Sequence, residues 1–327
     1  VWNYAKHLVL GRWTFANIFV TRNCNLRCEY CNVWKKKFSD LNLEDWCREI
    51  DVLAKHGCAH ISLTGGEPTM RDDLTDLIRY INDKGISVSL VSNATLIDDD
   101  LVQALLKSGL DGFCASLDSL SDFGKHSRKV IEIAQKFAKH IMVTLITVMT
   151  RKNLKEVLNV TSTCDKFGFW HNPIIVQSMN GFFSSKCDDL LPEASEVKPI
   201  CENLINLKVR GAPIVPTLEY LARVPDFCDG KRWVCQPFRH SITINNDGRV
   251  MVCQELEPFN VRLSGIEDNI EILKSLTSSF SCNGCLLDCY FKPETNRNLR
   301  FLRDSILLVR SHLGKRKRDT VVKGYGY

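Results

Sequence analysis

No stretch of this 327-residue chain approaches the roughly 18 consecutive apolar residues a membrane-spanning helix requires. Its first residues lack the charged start, long apolar run and small-residue cleavage site of a secretory signal, and the chain begins at Val1, so a trimmed N-terminus is expected. Internal repeats and low-complexity segments are also missing, which removes repeat architectures. Charge of one sign is scarce over most of the length. Up to residue 291 there are 33 Lys/Arg against 35 Asp/Glu, whereas Lys292–Tyr327 carries ten basic and three acidic side chains. The formal excess of +5 therefore belongs to the tail. That excludes a generally nucleic-acid-coating body and leaves a basic tail able to meet phosphates or anionic lipid. With 44% apolar and 25% charged residues the chain is ordinary for a soluble protein, long enough for one large domain and a smaller one.

Cysteine, by contrast, is plentiful, with 15 residues. Cys47, Cys58, Cys114, Cys164, Cys187, Cys201 and Cys228 stand alone and read as small core or surface residues. Such thiol content suits a reducing, cytoplasmic setting. Cys24, Cys28 and Cys31 differ, since C-N-L-R-C-E-Y-C places three thiolates on one short loop with no fourth cysteine close by. Iron–sulfur clusters take thiolate ligands, and three ligands on a four-iron cubane leave one iron open for a substrate or cofactor. Zinc favours a fourth protein ligand, and His7 and His56 are remote in sequence. A disulfide framework fits poorly with a large chain of scattered cysteines.

The second signal is Thr64-Gly65-Gly66-Glu67-Pro68, directly after the apolar stretch His60–Leu63. In parallel α/β architectures ligands bind at the carboxyl ends of strands. Adjacent glycines let the backbone approach a ligand, and Glu67 can accept hydrogen bonds from an ammonium group. Alone, G-G-E-P is also a turn with a helix-starting proline. Taken with the C-x3-C-x-Y-C loop 34 residues earlier, it resembles the radical S-adenosylmethionine (radical SAM) superfamily.

That resemblance implies a four-iron cluster on Cys24, Cys28 and Cys31 whose open iron chelates the amino nitrogen and carboxylate of SAM. An electron from a donor such as flavodoxin or ferredoxin then cleaves SAM, and a 5′-deoxyadenosyl radical takes a hydrogen atom from the substrate. It also implies a ring at Tyr30 near the adenine and a grip on the methionine ammonium by Gly65, Gly66, Glu67 and Pro68. Ser92 and Asn93 would turn toward SAM, and Ser116 and Asp118 toward the ribose or carboxylate; strand-end turn chemistry is the alternative for these four. Arg128 is a candidate carboxylate partner or a solvated helix charge. Asn153 is expected to be a helix N-cap. No general acid, base or hydrogen donor can be assigned from spacing.

Short apolar runs alternate with helical patterns from Asn17 to about Gln177. Strands are expected at Ile18–Thr21, His60–Leu63, Ile86–Val91, Gly112–Leu117, Ile141–Met149 and Pro173–Gln177, with helices at Leu43–Lys55, Asp72–Asp83, Asp98–Lys107, 126–139 and Asn153–Phe167. Six β–α repeats predict an α/β fold, and the resemblance implies a partial (βα)6 TIM-type barrel with a small cysteine-rich C-terminal extension. The expected organisation is an amphipathic segment (1–16), the core (17–180), a linker with connecting helices (181–234), an auxiliary iron–sulfur domain (235–297) and a basic amphipathic helix and tail (298–327). Within the linker, 180–199 reads as loop, Ile200–Lys208 as helix and Pro213–Pro237 as irregular. Ser241–Ile244 and Val250–Cys253 flank Asn246-Asp247-Gly248, a hairpin signal.

Cys282-x2-Cys285-x3-Cys289 forms a second compact run, and Cys235-x12-Gly248-x4-Cys253 precedes it. The pattern resembles SPASM and twitch extensions, implying one auxiliary iron–sulfur cluster on Cys253, Cys282, Cys285 and Cys289, with Cys235 as a substitute; a tetrahedral zinc site is the alternative.

Substrate class is less legible. Leu299, Leu302, Ile306, Val309 and Leu313 form a helical stripe flanked by arginines and followed by Lys315-Arg316-Lys317-Arg318, as on a helix lying on an anionic membrane. With the aromatic N-terminal segment, where Gly11-Arg12 resembles lipid-acting radical SAM enzymes, this makes membrane or isoprenoid lipid the first expectation, and a peripheral position at the inner membrane face goes with it. A peptide or protein maturase is the alternative, although the segment before the barrel is too short for a peptide-recognition domain. A cofactor-biosynthesis cyclase is another, suggested by L-T-G-G-E-P-T-M-R. An iron–sulfur redox sensor would leave G-G-E-P without purpose. No nucleic-acid partner is expected, because stacking aromatics are not placed beside the basic tail.

Overall fold

The computed structural model describes residues 15–35, 39–120, 124–179, 181–232, 235, 241–265 and 284–287. Eight strands form one sheet in the order β6-β5-β4-β3-β2-β1-β7-β8. The first six are β1 (Phe15–Thr21), β2 (His60–Gly65), β3 (Ser87–Ser92), β4 (Gly112–Ser116), β5 (Met142–Met149) and β6 (Trp170–Ile175). All neighbouring pairs among them are parallel. Helices α1 (Leu43–Lys55), α2 (Leu74–Asp83), α3 (Asp99–Lys107), α4 (Gly124–Ala138) and α5 (Leu154–Phe167) connect them in turn. This is the expected partial barrel.

Each strand separates two environments. The row Ile18, Leu63, Leu90 and Phe113 is in register across four strands and has no solvent exposure. It joins Trp46 and Ile50 of α1, Leu77 and Ile78 of α2 and Phe137 of α4 in one continuous core. The alternate residues face the other way, as the period of a strand dictates. Thr64, Val91, Cys114, Ser116, Ile146, Val148, Asn172 and Ile174 keep partial exposure. The concave side is thus an open lumen of small polar and β-branched side chains.

Helix starts follow local chemistry. The Asn42 side chain accepts the Asp45 N–H at 2.8 Å to begin α1, and Asp98 accepts the Leu101 N–H at 2.9 Å to begin α3. Asn153 stands at the N-cap of α5 as expected, but its side chain makes no cap hydrogen bond. Its Oδ1 accepts from the Thr150 N–H (2.7 Å), and its Nδ2 donates to the carbonyls of Asp118 (2.8 Å) and Val148 (2.9 Å). It therefore clamps the ends of β4 and β5 together.

The helix expected at Ile200–Lys208 is present but starts earlier, as α6 (Ala194–Val209), and α7 (Leu218–Cys228) stands where prolines suggested irregular chain. Pro199 and Pro225 lie inside them and cannot donate to the preceding turn. Burial outweighs that loss: Val197, Cys201 and Leu204 of α6 pack on Tyr220, Leu221, Val224 and Phe227 of α7.

The expected hairpin is present as β7 (Ser241–Ile244) and β8 (Val250–Met251). However, β7 pairs in parallel with β1, Asn17 opposite Thr243. The hairpin extends the barrel sheet itself. Among the described residues no helix is long and apolar enough to cross a membrane.

His171, wholly buried on β6, meets Thr161 Oγ1 of α5 at 2.8 Å and Thr147 Oγ1 of β5 at 3.0 Å. Burial lowers its pKa to about 3. The unfolded chain therefore takes up this proton below the ordinary histidine range while the native state does not, and stability falls as pH falls from that range. Between pH 7 and pH 5 this site should remove about 2 kcal/mol. Urea unfolding at the two pH values should show that loss, and His171→Gln should lack it.

Candidate functional site

The site lies at the carboxyl ends of the strands. The loop after β1 carries Cys24, Cys28 and Cys31, all half-buried. Burial first of all pushes the three thiols above their usual range, Cys31 to about 11, and Cys24 and Cys28 add to the effect at Cys31. The Leu26 N–H points at Cys24 Sγ at 3.4 Å. A bound metal reverses this protonation, because coordinated thiols lose their proton. No three His, Cys, Asp or Glu side chains among the described residues converge as around a single ion. A cluster takes each thiolate at a separate iron and needs wider spacing. The donor set of three thiols on one loop fits such a cluster.

The Gly-Gly-Glu-Pro segment locks this loop in place. The Gly66 N–H donates to the Thr21 carbonyl and the Glu67 N–H to the Asn23 carbonyl, both at 2.8 Å. A Cβ on Gly65 would sit 2.2 Å from the Thr21 carbonyl oxygen, and one on Gly66 only 2.1 Å from that of Asn23. Gly65 also has φ +134°. The glycines thus admit the cysteine loop, where sequence suggested they admit a ligand.

Glu67 is wholly buried. Its Oε1 accepts from Thr69 N (3.1 Å), Thr69 Oγ1 (2.6 Å) and Ser92 Oγ (2.7 Å), and its Oε2 from the Asn93 N–H (2.8 Å). The carboxylate is occupied in organising the ends of β2 and β3, where sequence suggested an ammonium grip. Pro68 opens the short turn Pro68–Met70 beneath it. Asn93 continues the network by donating from Nδ2 to Asn25 Oδ1 at 2.9 Å, back on the cysteine loop. Ala94 next to it has φ +60°. Ser92 and Asn93 therefore bind the protein's own backbone and loop.

Tyr30 and Asp118 form a second clamp. The Tyr30 hydroxyl donates to Asp118 Oδ2 at 2.7 Å, and Asp118 Oδ1 accepts the Val148 N–H at 2.9 Å. Burial raises both pKa values, that of Tyr30 well above its ordinary value. The Tyr30 ring packs beside Val176, Cys187 and Leu190. Ser116 stays half-exposed on the lumen. Arg128 is exposed on α4, bordering shallow surface grooves with Leu120 and Glu132. Its neighbour Lys129 turns inward, donating to the Thr95 carbonyl at 2.6 Å.

Sequence spacing gave no hint of residues 181–185. They line the other side of the cysteine loop: Asn32 N–H donates to the Phe183 carbonyl (2.7 Å), Ser185 N–H to the Tyr30 carbonyl (3.1 Å), and Cys31 bridges Ser184. Ser184 in turn donates its N–H to Glu255 Oε2 (3.0 Å) and its hydroxyl to Oε1 (2.8 Å). Arg22 was missed as well. Its buried guanidinium donates to Asn245 Oδ1 from Nε (3.0 Å) and Nη2 (2.5 Å), and lies over the Phe182 ring at 4.0 Å. Burial lowers its pKa to about 10, which leaves it charged at neutral pH.

A second cysteine group adjoins this strap. Cys235, Cys253 and Cys285 are buried together with Leu287, packed by Met179 and Leu256. Cys235, expected as a substitute ligand, is buried in this group. Gln177 fixes the segment, donating from Nε2 to the Leu286 carbonyl (2.9 Å) and accepting the Leu286 N–H on Oε1 (3.0 Å). Cys282 and Cys289 lie outside the described residues.

A parallel α/β barrel with a three-thiol loop locked at its carboxyl end defines an enzyme built around a cluster-held cofactor. The family model of the radical SAM superfamily matches residues 18–164. The chain thus carries a radical SAM domain and is an enzyme using a four-iron cluster and SAM. It is similar to the PqqA peptide cyclase of Granulibacter bethesdensis, with 24% identity over 264 residues, covering 76% of this chain and 68% of that protein. Over 106 residues it is 38% identical to the Fe-coproporphyrin III synthase of Methanosarcina barkeri, covering 32% of this chain and 27% of the relative. The fold resembles that of Streptococcus suis SuiB bound to precursor peptide SuiA, with TM-score 0.64 and 16% identity, covering 85% of this chain and 70% of SuiB.

Gly66→Ala should cost about 1–3 kcal/mol through backbone overpacking and lower the iron bound after reconstitution. Thermal unfolding and iron assay check both; a variant with unchanged stability and iron content would contradict the locking role.

Proposed function

We propose that this radical SAM enzyme modifies a peptide substrate held over the barrel lumen, with an auxiliary iron–sulfur centre beside it. The carrying observation is the second cysteine group, Cys235, Cys253 and Cys285, flanked by Gln177 and Met179, while residues 181–185 close on the first cysteine loop. Support for the substrate class comes from the peptide-directed names of the cyclase and SuiB relatives. The lipid expectation rested on 1–16 and 298–327, of which 1–14 and 298–327 lie outside the described residues, and none of the three relatives above names a lipid.

In this reading Cys24, Cys28 and Cys31 hold the SAM-binding cluster. When bound, cluster and SAM supply a 5′-deoxyadenosyl radical that abstracts a substrate hydrogen. The protein's own groups position and shield. Gly65, Gly66 and Glu67 fix the cysteine loop, Ser92 and Asn93 extend that support, and Tyr30 with Asp118 closes it against β4 and β5. Ser116 and Arg128 remain candidates for SAM contact. Cys235, Cys253 and Cys285, with Cys282 or Cys289, hold the auxiliary centre. A low-potential flavodoxin or ferredoxin supplies the electron.

Reconstituted enzyme with dithionite and SAM should release 5′-deoxyadenosine, and Cys28→Ala should abolish release. Cell extract separated into peptide, lipid and small-molecule fractions identifies the substrate class. Acceleration by the peptide fraction is expected, and acceleration by lipid alone would overturn the peptide reading.

A further inference from the structure

The buried Arg22 guanidinium is left unexplained by packing alone. A charge removed from water is expensive unless the surroundings return the energy, and arginine remains protonated inside proteins. Three separate elements hold this one in place. The turn of the β7–β8 hairpin presents Asn245 Oδ1 to Nε and Nη2, with Asn246 Oδ1 at 3.4 Å from Nε. The end of β1 contributes the Phe19 ring, 5.2 Å from the guanidinium carbon, and the 181–185 segment the Phe182 ring at 4.0 Å.

The amide acceptors satisfy N–H groups without neutralising the cation. Three carboxylates also lie in its field. Asp40 accepts from Thr21 Oγ1 and Asn246 Nδ2, both at 2.6 Å, and Asp247 pairs with Arg249 at 2.7 Å. Glu257 is the third carboxylate in that field. The Phe182 ring under the guanidinium belongs to the 181–185 segment whose Ser184 bridges Cys31, and Arg22 stands two residues before Cys24.

Resting on the assignment of Cys24, Cys28 and Cys31 as cluster ligands, we propose that Arg22 is a positioning residue for charge. It is a fixed cation, clamped by the hairpin, that raises the reduction potential of the cluster on the cysteine loop. Net charge, hydrogen bonds and solvent exposure set such potentials. One electron from a low-potential donor enters; no bond forms or breaks, and the guanidinium keeps its proton. The reduced assembly carries one more negative charge, so a nearby buried cation stabilises it more than the oxidised one. The hairpin that leads to Cys253 thereby influences how readily the first cluster accepts its electron.

The test is an EPR-monitored redox titration of the full reconstituted chain, with dithionite as reductant. Arg22→Gln should shift the midpoint to more negative potential, while Arg22→Lys, which keeps the charge, should shift it less. Asn245→Ala, which frees the guanidinium, should also move it negative. An unchanged midpoint in every variant that still carries the cluster, or equal shifts in the Gln and Lys variants, would overturn the proposal. Failure of the cysteine-loop assignment itself looks different: the wild-type cluster signal would not respond to SAM.

Discussion

Everything at the active end depends on one close approach of backbone to backbone. Where β2 ends, Gly65 and Gly66 lie against Thr21 and Asn23 so tightly that no Cβ fits between them. Their hydrogen bonds carry the parallel pairing of β1 and β2 past the end of the sheet and into the cysteine loop. A loop is the wrong place to hold three metal ligands unless something rigid supports it. Here the support is the sheet itself, continued through two peptide N–H groups.

Around that contact the polar groups form a closed set. Glu67 joins β2 to β3, Asn93 joins β3 to the loop, and Tyr30 through Asp118 joins the loop to β5. Buried carboxylates are tolerated when hydrogen bonds replace their water, and Glu67 receives four such bonds. The concave face stays comparatively uncommitted, lined by side chains such as Ser116, Ile146 and Asn172. Rigidity at the strand ends and openness in the lumen are complementary properties of the same sheet.

Much of the architecture was legible because it is periodic. Six apolar runs separated by helical patterns gave the barrel, and the two cysteine runs with G-G-E-P marked its chemical end. What escaped depends on long-range contact. Pro199 hid the first turns of α6 and Pro225 hid α7, although the spacing of Val197, Cys201 and Leu204 fits one helix. Asn153 has the composition of a cap, but its amide is drawn to the β4 and β5 carbonyls. That Thr69, Ser92 and Asn93 surround the Glu67 carboxylate was not readable from sequence, because they meet only in the fold. Arg22 and Ser184 carry no local signal, since their partners are more than 70 positions away.

The parallel pairing of β7 with β1 bears on how such a chain could be divided. Cutting before Ser241 would expose the flank of β1 from Phe15 to Ile18, a row of unpaired peptide groups on the strand that leads to the metal loop and an invitation to association between molecules. The same cut would remove Asn245 and Glu255, the anchors of Arg22 and Ser184. The region bearing the later cysteines is thus no detachable appendage. It completes the sheet on which the first cysteines depend, and the two halves of the chemistry must be inherited together.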